Sequence, residues 1–116
     1  LNDVRTVVYA GGIETIMLEI EIEMTKDEKI NKNSLDRCKH LINLAVRYAQ
    51  KINYPDIHAK IFDKLLASAK FYGLQNDKKI EYQFCLNEAK NYGFKHGIDM
   101  LNSIQNLEYE FGLKKR

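Results

Sequence analysis

Proline and glycine are scarce in this chain. With one proline and six glycines in 116 residues, and no apolar run long enough to cross a bilayer, the composition argues for a mostly helical, soluble protein and excludes a membrane-spanning helix. Residues 1 to 12 have no basic start followed by an apolar stretch, so no secretory leader is expected. Cysteine is limited to Cys38 and Cys85. Each falls within an apolar helical pattern, the setting of a reduced core thiol in a cytoplasmic protein.

Catalytic and metal-binding signatures are missing too. There is no glycine-rich phosphate loop, nucleophile elbow or Cys-His arrangement. The three histidines, His40, His58 and His96, show no ligand spacing such as Cys-x-x-Cys or His at i and i+4, so no metal site is expected. Glu19, Glu21 and Glu23, like Glu108 and Glu110, are two residues apart; on a helix such side chains diverge and cannot share a proton or a metal, so they are read as solvated. The expectation is a chain that is not an enzyme and carries no cofactor. The tyrosines are assigned to packing between helices.

Charge is nearly balanced overall, at +2, but unevenly spread. Residues 1 to 31 carry three basic and seven acidic side chains, and residues 32 to 116 carry fifteen and nine. The basic remainder can attract anionic partners, yet its lysines are dispersed and no cluster interleaves them with aromatic residues.

The chain contains an echo of itself. Leu1 to Glu14 recurs as Leu86 to Asp99, with four of fourteen positions identical and four more conservatively exchanged. This suggests a piece of a helical repeat array with a period of just over 40 residues. Because Leu86 lies inside a helix expected to begin near Asp77, Leu1 is expected to lie in mid-helix as well.

Helical periodicity runs through the rest. Ile13, Met17, Ile20 and Met24 share one face of a segment expected to start after Gly11 and Gly12. The alternation from Leu18 to Met24 also fits a strand; helix is preferred because Met100, Ile104, Leu107 and Phe111 repeat the same steps. After a polar loop from Thr25 to Asn33, with Asn33 or Ser34 as cap, Leu35, Cys38, Ile42, Ala45, Ala49 and Ile52 form a second stripe. Pro55 is expected at the first position of a helix reaching about Tyr72, with Ile61, Phe62, Leu65, Leu66 and Ala69 inward. Tyr72-Gly73, Tyr92-Gly93 and Phe111-Gly112 read as helix stops, glycine supplying the left-handed conformation. Tyr82, Cys85, Leu86, Ala89 and Tyr92 face inward from the next helix, and His96 is read as starting the last. Six helical segments result, and connections of about three to five residues make neighbours antiparallel.

From Leu44 to Gly112 the chain resembles the tetratricopeptide-like repeats, in particular the variety of about 40 residues found in bacterial signalling regulators. The resemblance rests on Leu44-Ala45 and Tyr48-Ala49 in a first helix, Ala59 and Phe62 in its partner, then Ala89-Lys90-Asn91-Tyr92-Gly93 and Gly97-Ile98. It departs from the family pattern at Phe84, Cys85 and Leu86, where a small residue is expected, and in lacking proline after Gly73 and Gly112. A compact antiparallel bundle stays open as the other architecture. The resemblance implies an all-α fold of antiparallel hairpins stacked as a right-handed α-solenoid, with residues 1 to 116 one helical-repeat domain and part of a longer array. It further implies a non-catalytic scaffold or sensor module of a larger cytoplasmic regulator. Such repeats grip a protein or peptide on the wall built from their first helices. On that wall Asn87 and Asn91 lie one turn apart, Arg47 and Lys51 hold the same register one unit earlier and suit a carboxylate, and Asn2 is the echo of Asn87. The opposing reading of these residues is a solvated face in a chain rich in Asn and Lys. Val4, Val7 and Val8 are expected to present an apolar surface that an upstream repeat or a second copy would cover, by self-association through the first helix. The alternative function is a self-contained basic bundle that binds nucleic acid as a small ribonucleoprotein subunit, a reading that rests on charge asymmetry alone.

Overall fold

Two apolar stripes set the first pair of helices. In the computed structural model, which describes residues 4–26 and 32–111, α1 (Val4–Met24) lays Ile13, Ile16, Met17, Ile20 and Met24 against Cys38, Ala45 and Ala49 of α2 (Lys32–Lys51). The pair is antiparallel: Arg37 near the start of α2 reaches Glu23 near the end of α1, and Tyr48 near its end meets Tyr9 near the start of α1. The small Ala45 and Ala49 let the axes approach, and the larger α1 side chains fill the space between. A second pair follows, α3 (Ile57–Gly73) with α4 (Lys79–Lys95), also antiparallel, since His58 at the start of α3 touches Tyr92 near the end of α4. The shorter α5 (Leu101–Phe111) buries Ile104 and Leu107 and seats Phe111 against Gly73. Among the described residues every regular element is a helix.

The two pairs join along α1 and α3. Lys64 of α3 bonds Glu21 of α1 at 2.6 Å, and Tyr54, between α2 and α3, donates its hydroxyl to Glu14 of α1 at 2.7 Å. Tyr72 at the end of α3 donates to the carbonyl of Lys26 at 2.9 Å. Core side chains from α1 to α5 form one cluster.

Several expected boundaries are corrected. Gly11 and Gly12 do not separate two helices; α1 runs straight through them, so the described chain has five helices where six segments were expected. Gly12 earns its place by packing, because a Cβ there would stand 2.9 Å from the ring of Tyr48. Gly11 faces open space. Its echo relationship is therefore uneven: Gly97, the counterpart of Gly12, has φ +65 and ends α4. There Gly97 N–H donates to the Phe94 carbonyl and Ile98 N–H to the Gly93 carbonyl, the paired bonds of a Schellman stop. The stop expected at Tyr92-Gly93 lies four residues too early. Gly93 is inside the helix and buried, where its missing Cβ lets Met100 and Phe62 close in. Gly73 does end α3, but the following Leu74 is right-handed, not the glycine left-handed. Two aspartates take the left-handed role instead, Asp56 and Asp77 at φ 61 and 63, each just before a helix. Consequently α3 starts two residues after Pro55, and His96 closes α4 instead of opening α5. Asn33 and Ser34 fall in the first turn of α2, with the residue before Lys32 outside the described set. Gly112 and Asn2 also lie outside it.

The adjacent glycines make a clean comparison. Gly11→Ala should raise stability by about 0.5 to 1 kcal/mol, because a helical position with open space gains from a stiffer unfolded chain. Gly12→Ala should lose that gain to the clash with Tyr48. Urea midpoints of the two variants, measured side by side, check the ordering.

Candidate functional site

Between α2 and α4 the surface opens into a groove of about 840 Å³ whose floor is α3. Both walls arise from helical periodicity: Leu35, Cys38, Ile42, Val46 and Gln50 recur along one side of α2, while Glu88, Asn91, Tyr92 and Lys95 do so along α4. Because α2 and α4 each run antiparallel to α3, they are parallel to each other. From Leu35 to Gln50 the wall rises about 22 Å at 1.5 Å per residue, room for roughly seven residues of extended peptide.

The lining is apolar at depth and charged at the rim. Met24 and Leu65 contribute to the bottom; Lys39, Arg47 and Lys95 stand at the edges against a single carboxylate, Glu88. Three cations and one anion make the rim basic, although α1 next to it is acidic. Its volume lies in the range of ligand sites, but its open, elongated form suits a chain segment more than a small molecule.

One end of the groove holds a cluster that sequence spacing concealed. The rings of His58 and His96 stack with centroids 3.9 Å apart and planes 11° from parallel. Tyr92 completes the group, its hydroxyl 2.8 Å from Nδ1 of His58. Burial pushes the Tyr92 phenol up to about 12, so its hydroxyl keeps its proton beside the His58 ring. His96 is held below its ordinary value of 6.5, first by burial, then by His58 and then by Lys95. Unfolded, His96 would take up a proton near 6.5; folded, it does so at lower pH. The stability it contributes is thus complete above pH 6.5 and is lost as pH falls through the folded value. Urea midpoints across the ordinary histidine range, from about pH 7.5 down to about pH 5, should fall more steeply for the natural chain than for His96→Gln.

The residues singled out from sequence divide. Arg47 and Asn91 line the groove from opposite walls; Asn87 and Lys51 are exposed on the same helices but are not part of its lining. Asn2 lies outside the described residues. Of the glutamates read as solvated, Glu23 is buried, bound by Lys26 at 2.9 Å and Arg37 at 3.2 Å. Glu21 and Glu108 bond Lys64 and Lys90. The cysteines are both free thiols in the core, and burial pushes each up to about 12, with Glu88 adding to the effect on both. Thiols so disposed are poor nucleophiles. Among the described residues no group of three or more His, Cys, Asp or Glu side chains could hold a metal ion, and no helix is long and apolar enough to cross a membrane.

Set against known proteins, the chain matches no family model, no curated protein and no solved structure.

Proposed function

We propose that this chain is a non-catalytic binding module whose groove between α2 and α4 takes an acidic peptide segment of a partner protein. The observation that carries the reading is the groove itself, a trough with an apolar bottom rimmed by Lys39, Arg47 and Lys95. Apolar side chains of the ligand fill the space over Leu65, Ile42 and Val46. Its carboxylates meet the rim cations, and the Asn91 amide offers a peptide backbone both an acceptor oxygen and a donor nitrogen.

The architecture proposed with it is a tetratricopeptide-like stack, right-handed, built from the antiparallel pairs α1–α2 and α3–α4 with α5 set against α3, a different phase from the pairing of α2 with α3 that the resemblance implied. The parallel course of α2 and α4 on one side of α3 supports this arrangement. In this reading the chain is a cytoplasmic module of a regulatory protein, and the groove lies on the wall built from the second helix of each pair, α2 and α4.

Random-peptide display on the immobilised chain tests the binding. Selected peptides should be acidic with interspersed apolar residues, and should be lost when Arg47→Glu replaces the natural chain. Lys51→Ala and Asn87→Ala, outside the groove, should retain them. Failure to enrich any acidic sequence, or enrichment that ignores Arg47→Glu, overturns the proposal. A labelled oligonucleotide that binds in the groove with steep salt dependence would favour nucleic acid instead.

A further inference from the structure

The helix α1 is apolar on two opposite faces. One is the core face already described. The other consists of Val4, Val8, Gly11, Thr15, Leu18 and Ile22, at alternating steps of four and three residues. Such steps keep side chains in one line along a helix, the pattern of a coiled-coil seam. The large members are open to solvent: Val4 76%, Val8 63%, Leu18 55% and Ile22 55% exposed. Val7, also exposed, widens the strip.

We infer that this strip pairs with the same strip of a second copy of the chain, the two α1 helices running antiparallel about a two-fold axis. The occupant is read from the order of residues. Reversing the strip on itself sets Val4 against Ile22, Val8 against Leu18 and Gly11 against Thr15, so that large side chains meet at the ends and small ones in the middle. A two-fold contact demands this self-complementarity. In an antiparallel seam the flanking position before one end lies across from the flanking position near the other, which brings Arg5 of one copy opposite Glu19 of the second. Parallel alignment would instead set Glu14 of each copy against Glu19 of the other. The charges therefore favour the antiparallel arrangement.

Two local details fit the middle of the strip for close approach. Gly11 has open space where a Cβ would point, so the facing helix can come near its backbone. The Thr15 hydroxyl donates back to the Gly11 carbonyl at 3.1 Å. With that bond made inside the helix, the polar atom of Thr15 needs no partner from the second copy. Glu14, flanking the centre, would face its own copy across the axis, but its carboxylate is engaged by Tyr54. This surface lies on α1, away from the groove walls of α2 and α4, so its fate is independent of peptide binding.

Sedimentation equilibrium of the full chain should give twice the monomer mass of 13.6 kDa as concentration rises. A dissociation constant on the order of 1 to 100 µM suits a contact of this limited length. Leu18→Lys and Gly11→Leu should each weaken the dimer more than about tenfold, a loss of about 1.4 kcal/mol. Both positions are open in the single chain, so helical circular dichroism that is kept and a urea midpoint at low concentration that does not fall separate loss of pairing from loss of folding. Register is read by oxidation of mixed single-cysteine variants, Val8→Cys with Leu18→Cys. The native thiols are buried and contribute little background. The mixture should cross-link between the two variants and neither variant with itself. A chain that stays monomeric to about 1 mM, a dimer indifferent to Gly11→Leu and Leu18→Lys, or cross-linking of Val8→Cys to itself overturns the inference.

Discussion

Tyr72→Ala should lower the unfolding free energy by about 3 to 5 kcal/mol, a large part of the total for a domain of this size. Tyr72 is fully buried, edge-on to Phe71 with centroids 5.1 Å apart, and its hydroxyl reaches the Lys26 carbonyl at 2.9 Å. It therefore fills space at the end of α3 and also ties that end to the segment leaving α1. Tyr72→Phe distinguishes the two contributions. The ring remains, and only the donor to Lys26 is lost, which should cost about 1 kcal/mol. At roughly 4 °C per kcal/mol, thermal melts should separate the variants clearly. Equal losses in the two would place the effect in the hydrogen bond, and a small loss in Tyr72→Ala would contradict the packing.

The same residue was readable only in part from the sequence. The Tyr72-Gly73 pair marks where α3 ends, and the periodic stripes through Ile13, Met17, Ile20 and Met24, or Cys38, Ala45 and Ala49, indicate which face is buried. Periodicity is local physics: a helix repeats every 3.6 residues whatever it packs against. What depends on a distant neighbour is not written locally. Gly11-Gly12 reads as a break because two glycines weaken a helix, whereas the ring of Tyr48, 36 residues beyond Gly12, makes a glycine the fitting residue inside it. The echo of Leu1 to Glu14 in Leu86 to Asp99 fails in the same way. Ala89 is in the core while its counterpart Val4 is exposed, because each copy meets different helices.

The groove follows that division. Arg47 and Asn91 were distinguishable as helix-surface residues with binding chemistry, and they do face one trough; Asn87 and Lys51, one turn from each, fall outside its lining. A single turn decides membership, since the groove narrows the useful arc of each helix. The stacked His58 and His96 could not be found by spacing, being 38 residues apart on α3 and just after α4. Nor could the burial of Glu23, whose partners Lys26 and Arg37 come one from just after α1 and one from α2.

Reversing the rim charge should have the largest effect on binding. In the double variant Lys39→Glu with Arg47→Glu, affinity for a display-selected acidic peptide should fall about 100-fold, or about 2.8 kcal/mol, because two attractions become like-charge contacts at a partly desolvated rim. Folding should change by less than about 0.5 kcal/mol per site, since both side chains are exposed. The binding loss should also depend on salt: added salt weakens the natural complex and partly restores the variant. Acidification adds an independent check. A ligand carboxylate near the stacked pair raises the depressed pKa of His96, so binding takes up a proton and tightens as pH falls below 6.5. His96→Gln should remove that pH dependence while leaving the salt dependence in place. Isothermal titration at about pH 7.5 and about pH 5.5, one unit either side of the ordinary histidine value, with both variants, reads all of these together. An affinity that is unaffected by Lys39→Glu with Arg47→Glu would remove the acidic ligand from the groove.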